Sequence, residues 1–335
     1  MNLHQFRFVL EAVRRGLNLT ETARALHTSQ PGVSKAILEL EEELGVDIFV
    51  RHGKRLRQVT EPGRQALRSI DIILREVANL RRIGLEYSRQ DTGRLSIATT
   101  HTQARYVLPG PVGELRRLYP EVDVSLHQGT PEQVAQMLME HSADIGLATE
   151  SLDRHPELVT LPCYEWQHVV VVPLDHPLAL DERPLTLQDL AAHPLVSYHP
   201  AFAGRRRVDE AFAQAGIEPR VALEAIDSDV IKTYVRSGLG VGVVAEMAVR
   251  EAGALDGLSC RAAGHLFGIN VTRVAFRRGV FLRGYVHALA GLLSPHLTRE
   301  RIEAAMADPT GPTASFSPAA PAAPAAPPAL PLPPT

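Results

Sequence analysis

Two short runs in this chain carry side chains suited to gripping a polyanion and a small polar ligand. The first is Ser29, Gln30, Pro31, Ser34 and Lys35, which sets two hydroxyls, an amide and a cation within seven residues. At a helix start such groups meet phosphates and base edges in a DNA major groove. A basic stretch follows, with Arg51, Lys54, Arg55 and Arg57 around His52-Gly53-Lys54. Two short strands joined there would form a wing able to track phosphates. The second run is Thr99-Thr100-His101-Thr102-Gln103, where a strand gives way to a helix. Backbone N–H groups at a helix start favour an anion, and ligands in open α/β sheets sit at the carboxyl ends of strands. Residue type alone fits an over-capped helix start equally well, since Thr and Gln are common there.

Other chemistry finds little support. The sequence has no Gly-x-Ser-x-Gly elbow, phosphate loop or His-Glu-x-x-His, and its 14 histidines are scattered without ligand spacing. Cys163 and Cys260 are too far apart for a zinc pattern or a disulfide framework. We therefore expect no enzyme activity, no metal and no cofactor. Gly238-Leu239-Gly240-Val241-Gly242 imitates a dinucleotide loop, but it follows a helix and precedes a strand, so it reads as a tight turn with close packing. Met1-Asn2-Leu3-His4-Gln5 does not resemble a secretory leader, and no apolar stretch reaches about 18 residues. A cytoplasmic protein is expected, neither membrane-bound nor a periplasmic solute-binding protein. Residues 1–94 hold 16 Lys+Arg against 12 Asp+Glu, although the whole chain carries −3. A basic head on an acidic body suits a polyanion partner, and chance variation of surface charge fits as well.

The first run must be positioned by a compact head. Leu3, Phe6, Val9, Leu10 and Val13 recur at helical spacing, predicting a helix over 3–15 that Gly16 ends. Thr20 is the expected cap of a second helix, with Ala23 and Leu26 inward; His27-Thr28 turns, and Ser29 caps a third, with Pro31 in its first turn. Val33, Ile37 and Leu40 form the buried stripe of that helix. Glu39, Glu41, Glu42 and Glu43 crowd its far end and would repel DNA, so only the Ser29–Lys35 end can face it. Residues 1–60 thus read as a winged helix-turn-helix. Thr60 caps a long helix over 61–90, where Ala66, Ile70, Ile73, Val77 and Leu80 step by 4, 3, 4 and 3. That spacing is a coiled-coil seam, though one so short could also pack on the chain's own body. Residues 92–300 alternate strands and helices. Residues 307–335 are Pro/Ala-rich and read as a disordered tail.

The segment Thr20-Glu-Thr-Ala-Arg-Ala-Leu-His-Thr-Ser-Gln-Pro-Gly-Val-Ser-Lys35, with Leu40-Glu-Glu-Glu-Leu-Gly45 and Phe49-Val-Arg51, resembles the N-terminal signature of LysR-type transcriptional regulators. The resemblance implies an all-α winged helix-turn-helix and linker helix, followed by an α/β effector domain of two lobes, periplasmic-binding-protein-like. It also implies regulation at double-stranded promoter DNA as a dimer or tetramer, with RNA polymerase as a partner at activated promoters. Two crossovers are expected, near Cys163-Tyr164-Glu165 and His265-Leu266-Phe267. They would give lobe I residues 92–163 and 267–295, and lobe II residues 165–265. Within the family the body is most similar to the cysteine-regulon (CysB-like) branch, through Ile97-Ala-Thr-Thr-His-Thr-Gln-Ala-Arg-Tyr106, Leu161-Pro-Cys-Tyr164 and Asp229-Val-Ile-Lys-Thr-Tyr-Val-Arg236. That branch implies control of sulfur assimilation by O-acetylserine, N-acetylserine, sulfate or thiosulfate, held by Thr100, Thr102, Gln103 and Thr149. Another pathway, such as sulfonate use, stays open. A further threonine of the branch falls where this chain has Phe202-Ala203-Gly204, so that hydrogen bond is absent or comes from elsewhere, with His199 as a substitute. Tyr198 to Arg207 reads as a loop with three successive arginines, and Trp166 as a core residue near a hinge.

Overall fold

The computed structural model describes residues 1–53, 55–88, 92–149, 151–250 and 253–308. Lys54 and the tail from residue 309 lie outside the described residues.

Helix α1 (Leu3–Arg14) starts with a capping box: Asn2 accepts from the Gln5 N–H and the Gln5 side chain returns to the Asn2 N–H. Helix α2 (Leu19–Ala25) is capped by Asn18, not by Thr20 as expected; Asn18 Oδ1 accepts from the Thr20 and Glu21 N–H groups, leaving Thr20 inside the first turn. Helix α3 (Gln30–Leu44) takes Ser29 as its cap and stops at left-handed Gly45. Strands β1 (Phe49–His52) and β2 (Arg55–Val59) form the antiparallel wing, turning at Gly53 with φ +61°. Phe6, Val9, Ala12, Ala23, Val33, Ile37 and Leu40 close the core with Ile48, Phe49 and Leu56.

Helix α4 (Glu61–Ser88) belongs to two bodies at once. Ile70 is buried in the head core, with Ala66, Leu67 and Leu74 packed beside it. The five-residue seam is therefore divided. Its first half covers the chain's own head, because that core is open on the α4 side and a 4–3 step serves an intramolecular contact equally well. Ile73 and Leu80 stay exposed at 41% and 69%, in line with Tyr87 at 80%. Further along, polar groups tie α4 to the body. Asp71 pairs with Arg277 at 2.5 Å, Asn79 bonds the Gly279 carbonyl and the Phe281 N–H, both at 2.8 Å, and Glu86 accepts from the Gly284 N–H and Arg283.

The body contains β3 (Thr92–Thr99), α5 (His101–Tyr106), α6 (Pro109–Leu118), β4 (Glu121–Gln128), α7 (Pro131–Met139), β5 (Ile145–Thr149), β6 (Leu158–Pro173), α8 (Pro177–Leu180), α9 (Leu187–Ala191) and β7 (Leu195–Tyr198). It continues with α10 (Ala203–Gln214), β8 (Val221–Ala225), α11 (Ser228–Arg236), β9 (Val241–Ala245), β10 (Leu258–Ala262), α12 (Gly264–Phe267), β11 (Ile269–Arg277), α13 (Gly284–Leu293) and α14 (Arg299–Ala307). The strand order is β4-β3-β5-β11-β6-β9-β7-β8, with β10 also on β6. Strand β6 runs 16 residues without a break; its first part pairs with β11 and its second with β9 and β10. The first passage between lobes thus lies inside one strand. The return passage lies in β11, where Asn270 and Thr272 oppose Trp166 and Tyr164, while His265-Leu266-Phe267 form part of α12 instead. Each lobe packs helices on both sheet faces. Ile302 of α14 is buried in the lobe I core, which carries the body past residue 300 to Ala307. The Gly238–Gly242 turn packs closely: a Cβ on Gly240 would lie 2.0 Å from the Pro194 carbonyl oxygen.

Candidate functional site

A small, partly open cavity lies between the lobes. From lobe I, the β3 end and α5 contribute Thr100, Thr102 and Gln103, and the β5 end contributes Thr149. Trp166, Tyr198, Phe202 and Gly204 face them from lobe II. The structure thus brings Thr100, Thr102, Gln103, Thr149 and Phe202 together at one cavity, although they are spread over a hundred residues of sequence. Ala203 follows Phe202 as the first residue of α10. Spacing alone did not reveal Tyr164 or Thr272, and it marked Trp166 as a core residue. Trp166 and Tyr164 lie in a long apolar strand, and Thr272 sits in the return strand.

These residues are joined by hydrogen bonds. The Thr272 hydroxyl accepts from Trp166 Nε1 at 3.1 Å and Gln103 Nε2 at 3.4 Å, and lies 3.5 Å from the Thr149 hydroxyl. Tyr164 donates to Gln103 Oε1. Gln103 is 2% exposed and Thr272 fully buried, so this network fixes the carboxamide before anything binds. On lobe II the Tyr198 hydroxyl sits 2.5 Å from Ser228 Oγ and accepts from the Ala245 N–H at 3.0 Å. Burial raises the pKa of Tyr198 and Tyr164, so both phenols stay protonated as hydrogen-bonding groups. Thr100 precedes α5, yet its side chain makes no capping bond. No charged side chain lines the cavity among the described residues. Such a lining offers hydroxyls and a carboxamide suited to a small polar ligand, with an indole and a phenyl ring beside them.

Behind the cavity, Trp166 meets His168 edge-on at 5.0 Å. His168 is fully buried, and burial lowers its pKa to about 3, so the ring is neutral. Cys163 is buried too, its thiol pushed up to about 12, which leaves it inert as nucleophile or metal ligand. Among the described residues no cluster of His, Cys, Asp and Glu could hold a metal ion.

The three arginines after Gly204 are not in a loop. They lie in α10, because Val208 and Phe212 four residues apart anchor that helix on the lobe II core. Arg205 is buried and bonds Asp209 at 2.6 Å, Glu224 at 2.9 Å and the Tyr198 carbonyl at 2.8 Å, so it braces the cavity wall without facing a ligand.

In the head, Ser29 and Pro31 are exposed at the start of α3, and Gln30 and Ser34 are half-buried. The Lys35 side chain is 78% exposed, with Glu39 at 3.6 Å. Arg55 and Arg57 project from the wing. Arg51 does not join them: its Nη2 bonds Glu41 Oε2 at 2.7 Å. Glu41 is correspondingly not part of a repelling surface. Its side chain is 4% exposed and also accepts from the Ile48 and Phe49 N–H groups at 2.8 and 2.9 Å. Both side chains work inside the fold, tying the wing to α3. The acidic end of α3 therefore consists of Glu39, Glu42 and Glu43.

Comparison with known proteins matches this geometry. The profile of the bacterial regulatory helix-turn-helix protein, lysR family, covers residues 3–64, and that of the LysR substrate binding domain covers 88–298. The HTH-type transcriptional regulator CysB of Burkholderia cenocepacia is 56% identical over 306 residues, spanning 91% of this chain and 97% of its own. SsuR of the same organism is 50% identical over 313 residues, with 92% and 99% covered. The regulator cbl of Escherichia coli is 46% identical over 305 residues, with 90% and 95% covered. Among solved structures, the cofactor-binding domain of the Cbl transcriptional regulator superposes with a TM-score of 0.62 at 43% identity, covering 65% of this chain and 95% of that one. Full-length OxyR from Pseudomonas aeruginosa shares the fold alone, with a TM-score of 0.65 at 22% identity over 88% of this chain and 97% of its own. The chain belongs to the LysR family of transcriptional regulators and is related within it to CysB, SsuR and Cbl.

Proposed function

We propose that this regulator controls genes of sulfur assimilation and cysteine biosynthesis, and that an acetylserine-like inducer or a sulfur oxyanion in the interlobe cavity sets its activity. The observation carrying this reading is the cavity itself, uncharged and lined by Thr100, Thr102, Gln103 and Thr149 in a chain 56% identical to a CysB. Effector seated between the lobes favours one interlobe arrangement over the other, which α4 passes to the heads. DNA is read by Ser29, Gln30, Pro31, Ser34 and Lys35, with wing contacts from Arg55. The exposed line Ile73, Leu80 and Tyr87, spaced by seven, supports self-association through α4.

Calorimetry of the full chain against O-acetylserine, N-acetylserine, sulfate and thiosulfate tests the effector. At least one should bind, and Thr102→Ala should weaken it by up to roughly tenfold, the worth of one hydrogen bond. Failure of all four, with tight binding of an unrelated metabolite, would overturn the sulfur assignment.

A further inference from the structure

Two of the lobe I cavity residues, Thr102 and Gln103, sit on α5, a helix of only six residues. Its first half, with the preceding Thr100, carries the cavity groups. Its last residue crosses to the other lobe. The Tyr106 hydroxyl donates to Asp229 Oδ1 at 2.7 Å and accepts from Lys232 Nζ at 3.2 Å, and both partners lie on α11 of lobe II. Lys232 also donates to the Ala248 carbonyl at 2.8 Å and lies 3.1 Å from Asp229. Its ammonium stands 5.3 Å from the Tyr106 ring centroid, a cation–π distance. Arg105 adds a contact at 3.7 Å to the second Asp229 oxygen. The Lys232 side chain is only 4% exposed, so its charge is covered by these neighbours. Tyr106 and Val107 pack on the Trp166, Ala245 and Met247 cluster at the same junction.

We propose that Tyr106, Asp229 and Lys232 form an interlobe clasp that positions α5, and through it Thr102 and Gln103, for effector binding. The contacts on the Lys232 ammonium from Asp229 and Ala248 stay within lobe II when the lobes separate. Those from Tyr106 do not. Opening therefore removes the phenol and its ring from a charge that is otherwise sealed. These are positioning residues: none of the three lines the cavity. A helix this short has no length over which to bend, so fixing Tyr106 fixes the side chains one turn before it.

The proposal rests on the cavity being the effector site, and the test separates the two. Tyr106→Phe keeps the ring and deletes the hydroxyl. In the full chain without ligand, it should speed amide hydrogen exchange in α5 and α11 by about tenfold, leaving α13 unchanged. Asp229→Asn added to Tyr106→Phe should speed it little further, because the two changes break one unit. Titration with O-acetylserine should then show about tenfold weaker binding, since only the clasped fraction is competent. Unchanged exchange in α5, or fully additive effects of the two substitutions, would overturn the clasp whatever binds. If O-acetylserine fails to bind the unmodified chain, the effector reading falls and the exchange measurement still decides the clasp.

Discussion

Removing the Glu41 carboxylate should unfold the head while sparing the body. In the native head this side chain satisfies two buried backbone N–H groups and one Arg51 nitrogen, with the Arg51 side chain itself 22% exposed. Glu41→Ala orphans both amides, at roughly 1–3 kcal/mol each, and strands Arg51. Breaking a buried pair from one side costs about 3–5 kcal/mol by itself, so the total is at least that. A 60-residue domain has a stability of only about 3–9 kcal/mol, so the head should be largely unfolded at room temperature. Glu41→Gln keeps an acceptor for the amides and loses only the charge on Arg51, a cost of about 1–3 kcal/mol. The assay exploits an absence in the sequence: residues 1–60 contain no Trp or Tyr, and Trp166 is the single tryptophan. Urea titrations followed by circular dichroism report both parts, whereas fluorescence of Trp166 reports the body. Glu41→Ala should erase helical signal before urea is added, abolish DNA binding and leave the Trp166 transition in place. A head as stable as the parent, or an equal shift of the Trp166 transition, would refute the role given to Glu41.

Three further outcomes are expected. Lys35→Ala should weaken DNA binding and flatten its dependence of log K on log salt by about 0.9, the share of one phosphate contact, and an unchanged slope would remove Lys35 from the interface. Gly240→Ala should lower the unfolding free energy read from the Trp166 urea transition by roughly 3 kcal/mol or more, because the new Cβ meets a backbone carbonyl 2.0 Å away that accepts the Val241 N–H; a loss below about 1 kcal/mol would show that the turn can relax. Body stability should fall as pH drops from 6.5 towards 3. Unfolded His168 takes up a proton below its ordinary value of 6.5, and the folded ring stays neutral down to about 3, so acid favours the unfolded chain. His168→Gln should reduce that slope by about one proton, as read from Trp166 titrations at pH 7 and 5.

The head was legible because its signals are local. Helix spacing in Phe6 and Val9, Ser29 before Pro31, and a turn at Gly53 each act within a few residues. Asn18 was overlooked beside Thr20, although its short amide side chain caps at least as well. The roles of Arg51 and Glu41 were not legible, since their partnership spans ten residues and depends on β1 folding back over α3. In the cavity, the hydroxyl run at Thr100 to Gln103 was readable as a strand end. Tyr164, Trp166 and Thr272 were not, because they meet the α5 residues only once β11 pairs back on β6, a contact between segments about a hundred residues apart in sequence. The arginines at 205–207 misled for a related reason: a charged run suggests solvent, yet Arg205 is enclosed by Asp209 and Glu224.

The double membership of α4 bears on how far a small rearrangement can reach. A helix of 28 residues is about 42 Å long. Its early turns are built into the head and its later turns are pinned to the body by Asn79 and Glu86, so head and body share a single shaft with no joint between them. A tilt of about 5° about Asn79 sweeps the Glu61 end, about 27 Å away, through roughly 2 Å, more than half the rise of one base-pair step at about 3.4 Å. A lobe movement that tilted this shaft would therefore carry the head with it as one piece.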